Sequence, residues 1–267
     1  VSTSSSIRHP VVLEYGLNED RLAAYREFYD ATGYVAVELF PPAEVEAMRA
    51  MVADIIEARS PLHPRLGVFA ADPPEPLPTF NPRAVYKISD LPLAGDGWFR
   101  LLADRRVLTV VSALIGPDVN YHMGFVHLRP PRLRLREGWH RDLAGDLHSE
   151  PGLTTAITYL DDIDRAGGAT RIVPYSHLDA FDAGTCTVHP FDAPDESATV
   201  DVEVRAGTVV FLHCLTIHSA AINRTPHDRR IVFNEYKTVS AREVVPNQAA
   251  FAELPLVRDG RPFVLSP

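Results

Sequence analysis

The sequence predicts a mainly β protein with flanking helices, a β-barrel or jelly roll with the helices packed on one side. Three observations carry this. Helical periodicity is confined to the part of the chain before Gly116-Pro117. From Val119 onward, short apolar runs alternate with Gly, Pro, Asp and Asn clusters, the pattern of strands and turns. Helices first and many strands after is the order of a sheet system with a helical layer, not of alternating βα units. With 267 residues, 46% of them hydrophobic, the chain can bury one substantial core. No repeat or composition break divides it. We therefore expect one domain over 1–267, helical over about 18–116 and β over about 119–240.

Ser2 to Ser6 reads as a loose tail. Asn18 is a helix N-cap, Leu22, Tyr25, Phe28 and Tyr29 share one helical face, and Gly33 is the stop. Tyr34 to Phe40 alternates like a strand. Pro41-Pro42 opens a second helix, Ala43 to about Arg59, with Val45, Met48, Met51, Val52, Ile55 and Ile56 on its buried side. Ser60 to Pro82 holds seven prolines and reads as a long surface loop, a place for a lid. Ala84–Ser89 is a strand, and Trp98–Ile115 is helical with a break near Asp104. The expected strands that follow are Val119–Leu128, Leu153–Leu160, Thr170–Val173, Thr199–Val204, Thr208–His213 and Arg230–Thr238.

The formal net charge of −9 argues against nucleic acid or an anionic membrane as a partner and leaves a small molecule as the expected one. No apolar run approaches the ~18 residues that span a bilayer, and the N-terminal residues do not read as a signal peptide. Cys186 and Cys214 have no CxxC spacing; reduced thiols in a cytoplasmic protein are expected over a disulfide pair.

Chemistry concentrates in Gly138-Trp139-His140-Arg141-Asp142 and in His218. On a strand, residues two apart point to one face, so His140 and Asp142 can meet at one point. His218 follows 76 residues after Asp142, also in a strand-like stretch. Two His and one carboxylate form the facial set that holds non-haem Fe(II) and leaves three positions open. Eleven residues after His218 comes Arg229, a candidate anchor for an acidic co-substrate. A second HxD, His177-Leu178-Asp179, follows a turn-like Pro174-Tyr175-Ser176, where a His holds a loop in place. Arg132, Arg134 and Arg136 form either a solvated strand face or an anion site at a pocket mouth. Arg171 touches substrate or pairs with an acidic neighbour. His122, His127 and His213 read as hydrogen-bonded core or edge residues, Asn223 as a turn holder and Trp139 as a wall beside the metal.

These pieces together resemble the phytanoyl-CoA dioxygenase family of Fe(II)/2-oxoglutarate oxygenases. The likeness rests on His140-Arg141-Asp142, on Thr158 to Asp162 leading to Gly167-Gly168 and Pro174-Tyr175-Ser176-His177, on Ala206 to Phe211, and on His218 to Asn223 followed by Arg229-Arg230. It spans about Tyr121 to Lys237, with Tyr175 where the family usually has glycine. The resemblance implies a double-stranded β-helix with iron at one end of the barrel. It implies that His140, Asp142 and His218 bind Fe(II) and that Arg229 pairs with the distal carboxylate of 2-oxoglutarate. A guanidinium suits that task, being always charged and able to bind a carboxylate bidentately. Arg230 is the alternative, since strand neighbours face opposite ways. Lys87 resembles a family lysine near the co-substrate, or is a solvated strand residue; Thr158 or Ser219 adds a hydroxyl to the 2-oxoglutarate pocket.

The implied reaction consumes O₂ and 2-oxoglutarate and hydroxylates, or cyclises, desaturates or epimerises, a small-molecule substrate, with natural-product biosynthesis the expected setting. The carboxylate of Asp142 disfavours halogenation. Two other classes use the same residues: a zinc hydrolase, against which stand the missing HExxH and the idle Arg229, and a non-catalytic jelly-roll binding protein.

Overall fold

The computed structural model describes residues 17–58, 63–70, 85–131, 137–143, 148–243 and 247–263. Asn18 Oδ1 accepts from the Asp20 amide at 3.1 Å and starts a short 3₁₀ turn that runs into α1, Leu22–Thr32. Gly33 ends α1 at φ +86°, a left-handed conformation open to glycine without strain. A Cβ there would also lie 2.2 Å from Thr216 Oγ1. β1 (Tyr34–Glu38) leads to α2 (Pro42–Glu57), whose buried side carries Val45, Met48, Val52 and Ile55. Within the Pro-rich stretch the structure corrects the loop reading: β2 (Gly67–Ala70) pairs antiparallel with β3 (Val85–Ser89). Four residues are too few for alternation to show. The rest of that stretch, where a lid was expected, lies outside the described residues except for 63–66, as do Arg132, Arg134 and Arg136. The break at Asp104 is an N-cap: its carboxylate accepts from the Arg106 amide at 2.9 Å, separating α3 (Asp96–Leu102) from α4 (Arg105–Ile115).

The β part comprises β4 (Val119–Arg129), β5 (Glu137–His140), β6 (Leu153–Tyr159), β7 (Thr170–Ile172), β8 (Phe181–Asp182) and β9 (Thr187–Val188). It continues with β10 (Val200–Val202), β11 (Thr208–His213), β12 (His218–Ala220), β13 (Arg229–Thr238), β14 (Pro255–Arg258) and β15 (Arg261–Pro262). A large antiparallel sheet runs β1-β11-β6-β13-β4-β14-β15, with β3 also on β4 and β2 on β3. A smaller sheet runs β10-β7-β12-β5, and β8 pairs with β9.

The large sheet is covered on both faces, so β6 is buried at every position. One face carries Val35, Val37, Ala156, Val209, Phe211 and Val232, which join Tyr25, Val45 and Val107 of the helices in one apolar cluster. The other face, with Tyr34, Ile157, Tyr159, Val210, Leu212 and Ile231, packs on Ile172 and Val202 of the small sheet. Fully burying a Leu- or Phe-sized side chain contributes about 1.5–3 kcal/mol, and both clusters depend on strand register, since a one-residue slip would invert every face. This curled, mainly β architecture with a helical layer is a cupin-like jelly roll. Among the described residues no helix is long and apolar enough to cross a membrane. Both cysteines are free thiols.

Candidate active site

His140 closes β5, and the ladder places it directly opposite His218 of β12. Directly opposed residues share a face, and the two rings lie 4.1 Å apart at their centroids. Asp142 is not on the strand; it follows in the bend after β5. Its Oδ1 is 3.4 Å from His218 Nε2 and 3.8 Å from His140 Nε2. One ligand atom from each of the three lies within 4.8 Å of the others.

Three hydrogen bonds fix this convergence. His140 Nδ1 donates to the Gly138 carbonyl at 2.8 Å, and His218 Nδ1 donates to the Thr216 carbonyl at 3.0 Å. A carbonyl only accepts, so each Nδ1 carries a proton and each Nε2 points toward Asp142. Thr155 Oγ1 donates to Asp142 Oδ2 at 2.7 Å, leaving Oδ1 toward the histidines. Burial lowers the pKa of His218, which keeps its lone pair available. Two imidazoles and a carboxylate with held outer partners form a donor set that fits Fe(II) or Zn(II). Arg141, between the two, is pinned by the carbonyls of Leu215 (2.7 Å), His189 (2.5 Å) and Ser176 (3.1 Å), which anchors the chain as it leaves β5.

The inner face of the large sheet supplies the rest. Arg229 is 2% exposed and lines one pocket with His140, Asp142 and His218. Burial pushes its pKa down to about 10, and its side chain makes one hydrogen bond among the described residues, to Thr170 Oγ1 at 3.4 Å. Arg129, which sequence reasoning missed, sits directly opposite it across the β13–β4 ladder. Like charges opposed on one face repel, and the Nε atoms of both guanidiniums are buried without a partner. Among the described residues the nearest carboxylate is Glu137, 3.7 Å from Arg129. Such a pair calls for an anion. Arg230 points the other way, to Asp161 at 2.6 and 3.0 Å.

Lys87 pairs with His127 across the ladder, so it belongs to the inner face; its Nζ lies 4.5 Å from the centre of the Phe125 ring. His127 lines the pocket itself, a second residue the sequence did not single out for the site. Burial, then the charges of Arg129, Lys87 and Arg229, push its pKa down to about 2, so it stays neutral. Phe125 and Phe233 stack at 4.7 Å as an apolar wall. Glu235, opposite Thr155, is pushed up to about 8 by burial and by the charge of Asp142.

Two expectations for the co-substrate pocket are overturned. Thr158 pairs with Val209 and Val232, residues of the helix-side cluster, so its hydroxyl faces away from the site. Its neighbour Tyr159 faces inward, donating to Thr170 Oγ1 at 2.7 Å. Ser219 pairs with Arg171, whose side chain reaches Asp201 and Glu196, both at 3.4 Å, on the outer face of the small sheet. The Ser219 side chain is therefore on the outward side of β12 by register, although the residue borders the pocket of His140, Asp142, His218 and Arg229. Trp139 is likewise not a wall beside the metal set: it lies under Arg171, 5.3 Å from ring centre to guanidinium. The second HxD does hold a loop, with His177 Nε2 bonded to the Asp30 carbonyl at 3.0 Å. Tyr175 adopts φ +67°, which accounts for the glycine that usually stands there. Asn223 ties its turn, donating to the Arg129 and His227 carbonyls at 2.7 and 2.6 Å.

Residues 29–231 match the family model of phytanoyl-CoA dioxygenase. The chain is 24% identical over 257 residues to ectoine dioxygenase of Bordetella parapertussis, covering 86% of this chain and 80% of that protein. It is 25% identical over 247 residues to peroxisomal phytanoyl-CoA dioxygenase of Mus musculus, covering 84% and 70%. A similar solved structure is the non-heme alpha ketoglutarate dependent epimerase SnoN from nogalamycin biosynthesis, with TM-score 0.68 at 23% identity, covering 92% of this chain and 96% of that one. The same epimerase is also known in complex with Fe3+, alpha ketoglutarate and nogalamycin RO. The family match covers most of the chain, so the protein belongs to the phytanoyl-CoA dioxygenase family and is a non-haem iron, 2-oxoglutarate-dependent dioxygenase.

Proposed function

We propose that this enzyme oxidises a small natural-product-like molecule at an unactivated carbon, with hydroxylation as the basic outcome and cyclisation, desaturation or epimerisation as variants. The observation that carries the site assignment is the convergence of His140 Nε2, His218 Nε2 and Asp142 Oδ1. On this reading those three atoms hold Fe(II), and Arg229 with Arg129 receives the distal carboxylate of 2-oxoglutarate. When bound, iron with 2-oxoglutarate and O₂ supplies the oxidising power.

The chain's own residues set the geometry. The Gly138 and Thr216 carbonyls hold a proton on each Nδ1 and so aim both Nε2 atoms at one point, and Thr155 keeps Asp142 turned inward. Two guanidiniums bring a dianion into a pocket where, among the described residues, their Nε atoms otherwise lack partners. Neutral His127 offers a hydrogen bond without adding charge, and Lys87 adds a third cation near the same space. Phe125 and Phe233 keep that space apolar, which strengthens the charge pairing. The natural-product setting draws its support from the likeness to an epimerase of nogalamycin biosynthesis.

The test is an anaerobic visible spectrum of metal-free protein given Fe(II), then 2-oxoglutarate. A new charge-transfer band that is lost in His218→Ala is the expected result. No band in the unsubstituted protein refutes the assignment.

A further inference from the structure

A second cluster of metal-type donors lies beside the first and has no part in the reading above. We propose that His122, His148 and Glu243 form a separate zinc site that pins two loop segments to the edge of the barrel. One donor atom from each residue lies within 4.8 Å of the others. His122 Nδ1 is 3.0 Å and His148 Nε2 3.9 Å from the same oxygen, Glu243 Oε1. Those spacings bracket the ligand–ligand distance of about 3.4 Å implied by bonds of about 2.05 Å in a tetrahedral zinc site.

The backbone builds the cluster. The β13–β4 register steps from Glu235↔Met123 to Tyr236↔Tyr121, so His122 is the extra residue of a bulge. Bulges re-aim side chains. His148 and Glu243 face each other across an isolated antiparallel bridge, reinforced by Ser149 N–H donating to the Arg242 carbonyl at 2.9 Å. Glu243 Oε2 accepts from the Asn247 amide at 2.6 Å, which leaves Oε1 to turn toward the histidines.

The cluster is incomplete as a purely hydrogen-bonded one at His148, whereas His122 Nδ1 has the Asn247 Nδ2 amide at 3.2 Å, which turns aside when a metal takes that nitrogen. His148 is 6% exposed, and neither of its ring nitrogens has a hydrogen-bond partner among the described residues. Buried polar atoms are normally satisfied; a metal on Nε2 would satisfy one of these. The opposite nitrogen of His122, Nε2, faces Glu235 at 3.8 Å, an outer carboxylate of the kind that orients metal-bound histidines. Charge allows a dication: the Glu243 carboxylate has one ammonium beside it, Lys237 at 3.4 Å. Lys237 also holds the Ala241 carbonyl at 3.0 Å and Glu253, so it keeps partners when Glu243 binds a metal. Two imidazoles and one carboxylate with an open fourth position are a donor set for zinc.

Zinc itself is the probe. Full-length protein is stripped with a chelator and titrated with zinc against a chromophoric competitor. The unsubstituted chain should bind two equivalents, because the first centre also accepts zinc, and His140→Ala/His218→Ala should bind one. Adding His148→Ala or, separately, Glu243→Gln to that background should abolish it, with circular dichroism unchanged. Zinc-edge X-ray absorption of the double variant, which needs no change to the proposed ligands, should show two imidazoles. One equivalent in both the unsubstituted chain and the double variant would sink the first centre and keep this one. No zinc in the double variant, zinc retained after both further substitutions, or a spectrum without imidazole overturns the proposal.

Discussion

Replacing Arg229 and Arg230 separately with methionine sets two adjacent, chemically identical side chains against each other. Arg229 is 2% exposed, opposes Arg129, and among the described residues has only Thr170 Oγ1 as a hydrogen-bond partner, at 3.4 Å. If it pairs with 2-oxoglutarate, its loss removes a charged hydrogen bond worth about 1.5–3 kcal/mol. That is a rise of roughly 10- to 150-fold in the dissociation constant. The fold itself should not suffer, because an apolar group replaces a buried, unpaired charge. Arg230→Met has the opposite profile. It breaks a pair with Asp161, whose side chain is 12% exposed. Asp161 keeps Arg49 at 3.3 Å and the backbone amide of residue 230 at 2.8 Å. The destabilisation should therefore stay near 1 kcal/mol, not the 3–5 of a fully stranded charge, with 2-oxoglutarate binding unchanged. Anaerobic titration of the Fe(II) protein with 2-oxoglutarate reads the first effect, and urea unfolding of the metal-free protein reads the second. The reasoning fails if Arg230→Met weakens 2-oxoglutarate more than Arg229→Met does, or if Arg229→Met costs several kcal/mol of stability and leaves binding intact.

Thr155→Val removes the hydroxyl 2.7 Å from Asp142 at nearly constant volume; Fe(II) affinity should fall about 10- to 100-fold, and equal affinity by competition titration would remove Thr155 from the site. Burial holds the pKa of His213 at about 3 against an ordinary 6.5, and its Nδ1 accepts from the Leu215 amide at 3.1 Å, which needs the neutral ring. As pH falls below 6.5 the unfolded chain protonates this residue while the folded chain does not, so stability is lost down to about pH 3. Between about pH 6.5 and 5 that amounts to roughly 2 kcal/mol; His213→Gln should show a shallower loss by the same amount in urea unfolding, and an identical pH dependence would contradict it. Gly33→Ala forces a side chain into φ +86° with its Cβ 2.2 Å from Thr216 Oγ1, so it should cost about 2–4 kcal/mol; a loss under about 1 kcal/mol would mean the α1–β1 corner is softer than its contacts imply.

What the sequence made legible follows from where its patterns carry information. The helix limits at Gly33 and Asp104 rest on local chemistry, a left-handed stop and a carboxylate cap, and the structure has both. The errors at Thr158 and Ser219 share one cause. β6 is buried at all seven positions and β12 at all three, so polar alternation cannot give the phase, and each residue was assigned to the wrong face. The same double burial hid Thr155; Arg129 ends β4, and both approach the site only through strands paired far along the chain.

The three proposed metal-binding side chains depend on the fold to different degrees. Each histidine is oriented by the carbonyl two residues before it, Gly138 for His140 and Thr216 for His218. That anchor is backbone, so no single side-chain substitution nearby removes it, and it travels with the local sequence. Asp142 is oriented by a side chain from another strand, and Thr155 in turn sits opposite Glu235 of β13. The imidazole half of the set is thus specified locally, whereas its carboxylate half depends on the register of the β6–β13 ladder. A register error in β6 would carry the Thr155 hydroxyl to the helix side and leave two correctly aimed histidines beside an untethered carboxylate. Sequence motifs therefore find the histidines easily, and the strand pairing sets how well the carboxylate is held.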